Sequence, residues 1–203
     1  MVSVGTDAKA AALAEARHGT LAGLRCGVFL NLGTGTSAAT VVEGRVLTGA
    51  HGAAGEIGYS LVSPVDPGYS ADRAPLEECM SGAGLAARAS RLLEEPLTAA
   101  DVFARAPADH RLRELLNEGL RVLSAHVAAL ALAVDPARIA VGGGLAAAGE
   151  QLLGPLRATL QRAVPFPPEL VIARYRDDAP LAGALLLALD ATGSARQAPA
   201  IPA

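Results

Sequence analysis

Two apolar runs, at 26–32 and 38–42, are separated by Gly33-Thr34-Gly35-Thr36-Ser37. Short apolar runs bounded by a glycine-rich turn predict two strands. Glu43-Gly44 is a second turn signal and 45–47 a third short strand, so this stretch reads as a three-stranded meander. Near the other end, 139–141 predicts a strand, Gly142-Gly143-Gly144 a loop, 151–163 a helix, 170–173 a strand and 180–189 an apolar helix. A meander, then helices, then a β–α–β–α unit defines an α/β lobe.

The intervening chain is helical. Thr6 or Asp7 can cap a first helix running to about His18, with Gly19 as its stop. After a glycine-rich loop at 51–58 and an irregular stretch at 62–75, a helix is predicted over 76–94, interrupted near Ser81-Gly82. Another spans 98–105, where Thr98 and Asp101 have capping-box spacing. A long amphipathic helix covers 109–134: Leu112, Leu115, Leu116, Leu120, Leu123 and Val127 recur on one face, and Pro136 follows. Half of the 203 residues are apolar, much of that alanine, and tryptophan is absent. Alanine-rich helices lying close on a sheet satisfy such a composition. The length fits one domain or one lobe of a two-lobe protein, with residues 1–190 folded and 191–203 a disordered tail.

Several classes are excluded. The formal net charge is −3 and no basic stripe is visible, which argues against nucleic acid as a partner. Cys26 and Cys79 are too few for a disulfide framework or a thiolate zinc site, and a reduced, cytoplasmic chain is expected. Residues 1–9 lack the pattern of a signal peptide, and the apolar run 127–134 is too short to span a bilayer. His18, His51, His110 and His126 are scattered, and no metal site is expected.

Four features carry chemistry. The turn Gly33-Thr34-Gly35-Thr36 lets backbone N–H groups approach phosphate oxygens, although a plain hairpin turn uses the same residues. Gly142-Gly143-Gly144 before a helix admits a close-lying ligand such as adenosine, or serves as a tight packing turn; no Gly-Lys-Ser/Thr follows it. Glu56, among the small residues of 52–58, can accept hydrogen bonds from vicinal sugar hydroxyls or be a solvated loop carboxylate. Glu77 and Glu78 offer the same chemistry, or a helix cap. Asp7 is either a helix cap or a general base for a sugar hydroxyl.

In this order, the features resemble the ROK family of sugar kinases and sugar-responsive repressors. Residues 5–15 are similar to the family segment Asn-Asp-x-x-Ala-Ala-x-x-Glu, which makes Asp7 the base. Asn31-Leu32-Gly33-Thr34-Gly35-Thr36 resembles the phosphate-binding turn, and 44–58 the family signature, with Glu56 on the sugar. Leu76-Glu77 places Glu77 at a further sugar contact, and 139–144 resembles the adenosine motif. The resemblance implies an actin-like ATPase (ribonuclease H-like) lobe in a cytoplasmic homodimer. It implies phosphorylation of a hexose by ATP with Mg2+, glucokinase-like, or else a non-catalytic sugar-sensing domain of a regulator. Three departures stand out. Thr6 replaces an asparagine. Tyr59 replaces a histidine that contacts sugar and a structural zinc, and the zinc loop has no cysteines at 66–75. Tyr59 is therefore assigned to the sugar and no zinc is expected. The family's amino-terminal lobe, with its Asp-x-Gly-x-Thr phosphate loop, is expected to be missing, so that this chain alone has negligible turnover.

Overall fold

A computed structural model describes residues 6–175 and 178–191. One five-stranded mixed sheet organises them. Strands β1 (Cys26–Leu32), β2 (Thr36–Val42), β3 (Arg45–Val46), β4 (Arg138–Gly142) and β5 (Glu169–Ile172) lie in the order β3-β2-β1-β4-β5. The first three form the antiparallel meander, while β4 runs parallel to β1 and β5 parallel to β4. The hairpin closes at Leu32 opposite Thr36, and Asn31 lies opposite Gly142. The ends of β1 and β4 therefore emerge side by side.

Both faces of the sheet are covered, which explains why β1 is apolar on both faces at every position but Asn31. Its side chains nevertheless divide with period two. Val28, Leu30 and Leu32, with Ile139 and Val141, meet α3 (Gly82–Leu93), α4 (Ala99–Arg105), α5 (His110–Val134) and α6 (Glu150–Ala163) in one core. Phe29, Ala39, Val41 and Ala140 meet α1 (Asp7–His18) and α7 (Ala179–Ala191) in the other. By length and composition α5 is apolar enough to cross a membrane. Its apolar stripe, Leu112 to Ala131, instead fills the first core.

Alanine is concentrated where elements approach most closely. Ala8, Ala10, Ala11, Ala12, Ala14 and Ala16 are all buried in α1. At the crossing with α7, a Cβ on Gly183 would lie 1.8 Å from the carbonyl oxygen of Ala10.

Several boundaries differ from the sequence expectation, each for a local reason. β2 begins at Thr36 rather than 38, because the glycine turn is tight enough to pair Thr36 directly. The interruption expected near Ser81-Gly82 does fall there: α2 (Pro75–Met80) gives way to α3 at Ser81, whose Oγ accepts from the Gly84 N–H at 3.0 Å. Irregular 62–75 contains one 3-10 turn, Gly68–Ala71, and another, Gly144–Ala148, lies between β4 and α6. The tail expected to be disordered lies, from 192 onward, outside the described residues.

The α1–α7 crossing makes a test. Gly183→Val is expected to lower stability in urea unfolding by about 3 kcal/mol through overpacking. An unchanged midpoint would mean that the two helices are not this close in solution.

Candidate active site

A cleft of about 1050 Å3 opens at the end of the sheet where β1 and β4 terminate. Asp7 and Ala11 of α1 form one wall, and Asn31 with the β1–β2 turn forms the floor. The loop from Gly143 to Ala148, Gln151, and the small face of α4 (Ala99, Ala100, Ala104 with Phe103) complete it. Clefts beyond the carboxyl ends of parallel strands are where open α/β sheets bind ligands.

The turn on the floor is held almost entirely by backbone. The Gly33 N–H donates to the Gly35 carbonyl at 3.0 Å, and the Gly82 N–H donates to the Gly33 carbonyl at 2.7 Å. The Ala83 N–H donates to the Thr34 carbonyl at 3.2 Å. A Cβ on Gly82 would lie 2.8 Å from the Gly33 carbonyl oxygen, and one on Gly143 would lie 2.5 Å from the Gly33 nitrogen. Gly143 also sits at φ +83°. Held this way, the turn leaves the N–H groups of Thr34 and Gly35 without an acceptor among the described residues. Both residues line the cleft. Two adjacent N–H groups with no protein partner form a cradle for anionic oxygens.

Asp7 is the first residue of α1, not its cap. Thr6 occupies the cap position but its side chain caps nothing, and the exposed Asp7 carboxylate makes no hydrogen bond or ion pair among the described residues. The capping alternative is thereby corrected. Gly33, Thr34, Gly35, Gly143 and Gly144 share the cleft with Asp7. Two residues expected on the nucleotide do not. Thr36 is buried, its N–H donating to Glu77 Oε2 and its hydroxyl to the Met80 carbonyl, both at 2.9 Å. Gly142 is a strand residue pressed on Phe29, whose ring would lie 2.5 Å from an added Cβ.

Glu56, Tyr59 and Glu77 lie outside the lining of this cleft. The Glu77 carboxylate braces the turn through Thr36, and the missing side chains of Gly35 and Gly58 make room for it. The loop carrying Glu56 is pinned to β2 by the Ala38 N–H donating to the Gly55 carbonyl at 2.7 Å. Glu56 itself meets Lys9 of α1, with Oε1 and Nζ 3.4 Å apart. Lys9 escaped the sequence reading because its partner is 47 residues away; a lysine among the alanines of a buried helix was the available signal. Glu15, the glutamate of the amino-terminal segment, is fully buried. Its oxygens accept from the N–H and hydroxyl of Thr20 and from the N–H of Tyr175, tying the end of α1 to the chain beyond β5.

Tyr59 is exposed and packs edge-on against Tyr69, with centroids 5.5 Å apart. Charge and backbone hold the rest of this segment. Asp66 Oδ1 accepts from the Gly68 N–H and lies 3.7 Å from Arg73, and the Arg73 Nε donates to Glu78 Oε2 at 3.0 Å. The Leu76 N–H donates to the Ser60 carbonyl, and a His126 ring nitrogen contacts the Leu61 carbonyl. No group of three His, Cys, Asp or Glu side chains among the described residues gathers to hold a metal ion.

The architecture is that of an actin-like ATPase lobe. The chain matches the ROK family over residues 1–191, and it belongs to that family. N-acetylmannosamine kinase of Salmonella heidelberg (strain SL476) is 36% identical over 188 residues, which are 90% of this chain and 62% of the relative. The chain thus spans somewhat less than two thirds of the length of the curated relatives it matches. Among solved structures, a ROK hexokinase from Thermus thermophilus is 31% identical with a TM-score of 0.78, covering 92% of this chain and 65% of its own. A ROK family glucokinase from Streptomyces griseus, in complex with glucose and AMPPNP, is 27% identical with a TM-score of 0.75, covering 92% and 67%.

The braced segment yields a pH prediction. The hydrogen bond from Arg73 holds the Glu78 carboxyl below its ordinary pKa, with the Ala74 N–H adding to it and partial desolvation opposing. A lowered folded-state pKa means that this link is intact above the ordinary carboxylate range and is lost as pH falls through the lowered value. Carboxylate-resolved NMR titration is expected to show Glu78 titrating below an ordinary glutamate and moving back up in Arg73→Met. Identical curves would remove this pair from the account of the segment.

Proposed function

We propose that this chain supplies the phosphate turn, the base and the sugar-contacting loops of an ATP-dependent hexose kinase. One observation carries the reading: Thr34 and Gly35, whose N–H groups have no acceptor among the described residues, line the same cleft as Asp7, whose carboxylate has no partner among them either. A donor pair for phosphate and an acceptor for a hydroxyl proton are the two local requirements of phosphoryl transfer to an alcohol.

On this reading Thr34 and Gly35 hold oxygens of the nucleotide's phosphates. Gly143 and Gly144 let its adenosine lie close, against the small face of α4. The nucleotide, carried with Mg2+, supplies the phosphoryl group. Asp7 accepts the proton of the sugar hydroxyl as that oxygen bonds to the phosphorus and ADP leaves. Glu56, Glu77 and Tyr59 contact the remaining hydroxyls; Thr36 and Gly142 support the site rather than touch the ligand. N-acetylmannosamine, named for the curated relatives, and glucose, bound in a solved relative, are the sugars to try first. Retention of an unencumbered Asp7 favours a kinase over a sugar-sensing regulator.

The experiment is coupled ADP release with N-acetylmannosamine, glucose and mannose, using the chain alone and the chain joined to a relative's amino-terminal lobe. The chain alone is expected to bind AMPPNP with negligible turnover, because the second phosphate loop of the family is needed to align the transfer. The joined protein is expected to turn over, with Asp7→Asn reducing kcat about 10²–10⁴-fold and leaving the KM for ATP in place. Gly143→Ala is expected to displace Gly33 and raise that KM. Full activity in Asp7→Asn, or no sugar-dependent ADP release from the joined protein, would defeat the proposal.

A further inference from the structure

Lys9 is only 7% exposed. Lysine reaches such burial chiefly when its ammonium is paired. Its charged partner is Glu56, 3.4 Å away, and the Thr6 hydroxyl lies at the same distance. Asp7 and Lys9 are two residues apart on one helix, about 200° around its axis, so they point to different sides. Asp7 faces the cleft; Lys9 lies under the loop between β3 and Glu56, beside Thr48 and Gly52.

That loop does not depend on Lys9 for its path. The Ala38 N–H donates to the Gly55 carbonyl, and the Ala54 N–H donates to the Thr48 carbonyl. Gly49, Gly52 and Gly55 take the positive φ angles of 78°, 72° and 86° that the turn requires. The orientation of the Glu56 side chain is a different matter. The Glu56 side chain is 32% exposed, and its one ion pair among the described residues is with Lys9. An ammonium held on Oε1 leaves Oε2 as the oxygen free to accept a hydroxyl hydrogen.

From this geometry we infer that Lys9 is a positioning residue: it fixes the Glu56 carboxylate for the hexose and couples it to the helix that carries Asp7. The inference rests on the hexose reading of the site. It assigns Lys9 no contact with the sugar and none with the nucleotide.

The joined protein is titrated with the hexose that supports turnover and, separately, with AMPPNP, in four forms: unmodified, Lys9→Met, Glu56→Gln and the double variant. Methionine keeps the buried stem and removes the charge. Lys9→Met is expected to raise the hexose Kd and KM about tenfold, the scale of a lost charge-assisted hydrogen bond. It is expected to leave AMPPNP affinity in place and to add little in the Glu56→Gln background. If Lys9→Met does not fold, Lys9→Gln keeps a donor near Oε1 and is expected to bind with intermediate affinity. Unchanged hexose affinity overturns the inference alone. So does an equal loss of sugar and nucleotide affinity, or an effect that persists in full without Glu56, since each makes Lys9 merely structural. Absence of hexose binding by the unmodified protein overturns the hexose reading and this role with it.

Discussion

Three glycines distant in sequence meet backbone to backbone at Gly33, and the site depends on that meeting. Gly82 donates to the Gly33 carbonyl, and Gly143 approaches the Gly33 nitrogen more closely than any residue with a Cβ is able to. The contact starts α3, ends β4 against the β1–β2 turn, and holds the turn open. Its further result is a subtraction. With the N–H of Gly33 donating to Gly35 and that of Thr36 to Glu77, the N–H groups of the turn left without an acceptor among the described residues are those of Thr34 and Gly35, and both residues line the cleft. An anion cradle of this kind needs no charged side chain on the turn, because the peptide dipoles supply the positive potential.

Placement of the carboxylate opposite the cradle is the work of α1, and α1 is positioned by small residues. Its alanines lie on the second core of the sheet and let the backbone of α7 come close at Gly183. Glu15 then locks the far end of the helix, accepting from Thr20 and Tyr175 while fully buried. A helix fixed along its length presents its first residue in one place, so Asp7 needs no hydrogen bond of its own to be directed at the cleft. Large aromatic side chains would have separated the helices, which gives the alanine-rich, tryptophan-free composition a structural meaning.

The parts of this arrangement legible from residue order were those with local causes. Turn residues at 33–37 and 43–44 delimited the meander, and leucine spacing delimited α5, because hairpins and amphipathic helices are decided by neighbours in sequence. Non-local causes were not legible. Gly142, Gly143 and Gly144 are identical letters, yet the first packs on Phe29 while the other two line the cleft, a division made by sheet register. Thr36 looked like a ligand donor until β2 began two residues early and folded it inward. Asp7 read locally as a cap because carboxylates at helix starts commonly are; only the path of residue 6 decides which position it holds. Lys9 gave no motif, since its meaning lies in a loop on the far side of the meander.

Glu77 shows how the proposed sugar and phosphate functions are joined. Its Oε2 accepts the Thr36 N–H and sits over Gly35, so one oxygen of the carboxylate belongs to the β1–β2 turn. The same side chain packs at Gly58, two residues beyond Glu56, where a Cβ would come within 3.2 Å of the Glu77 Cβ. A hydroxyl that draws on the other oxygen therefore pulls on the group that braces the turn, and a displaced turn alters where Glu77 stands for the hydroxyl. Lys9 closes the circuit on the opposite side, joining Glu56 to the helix of Asp7. On the proposed reading, sugar loop, phosphate turn and base are three ends of one connected set of contacts, and a sugar that fits badly disturbs the phosphate cradle as well as its own hydroxyl contacts.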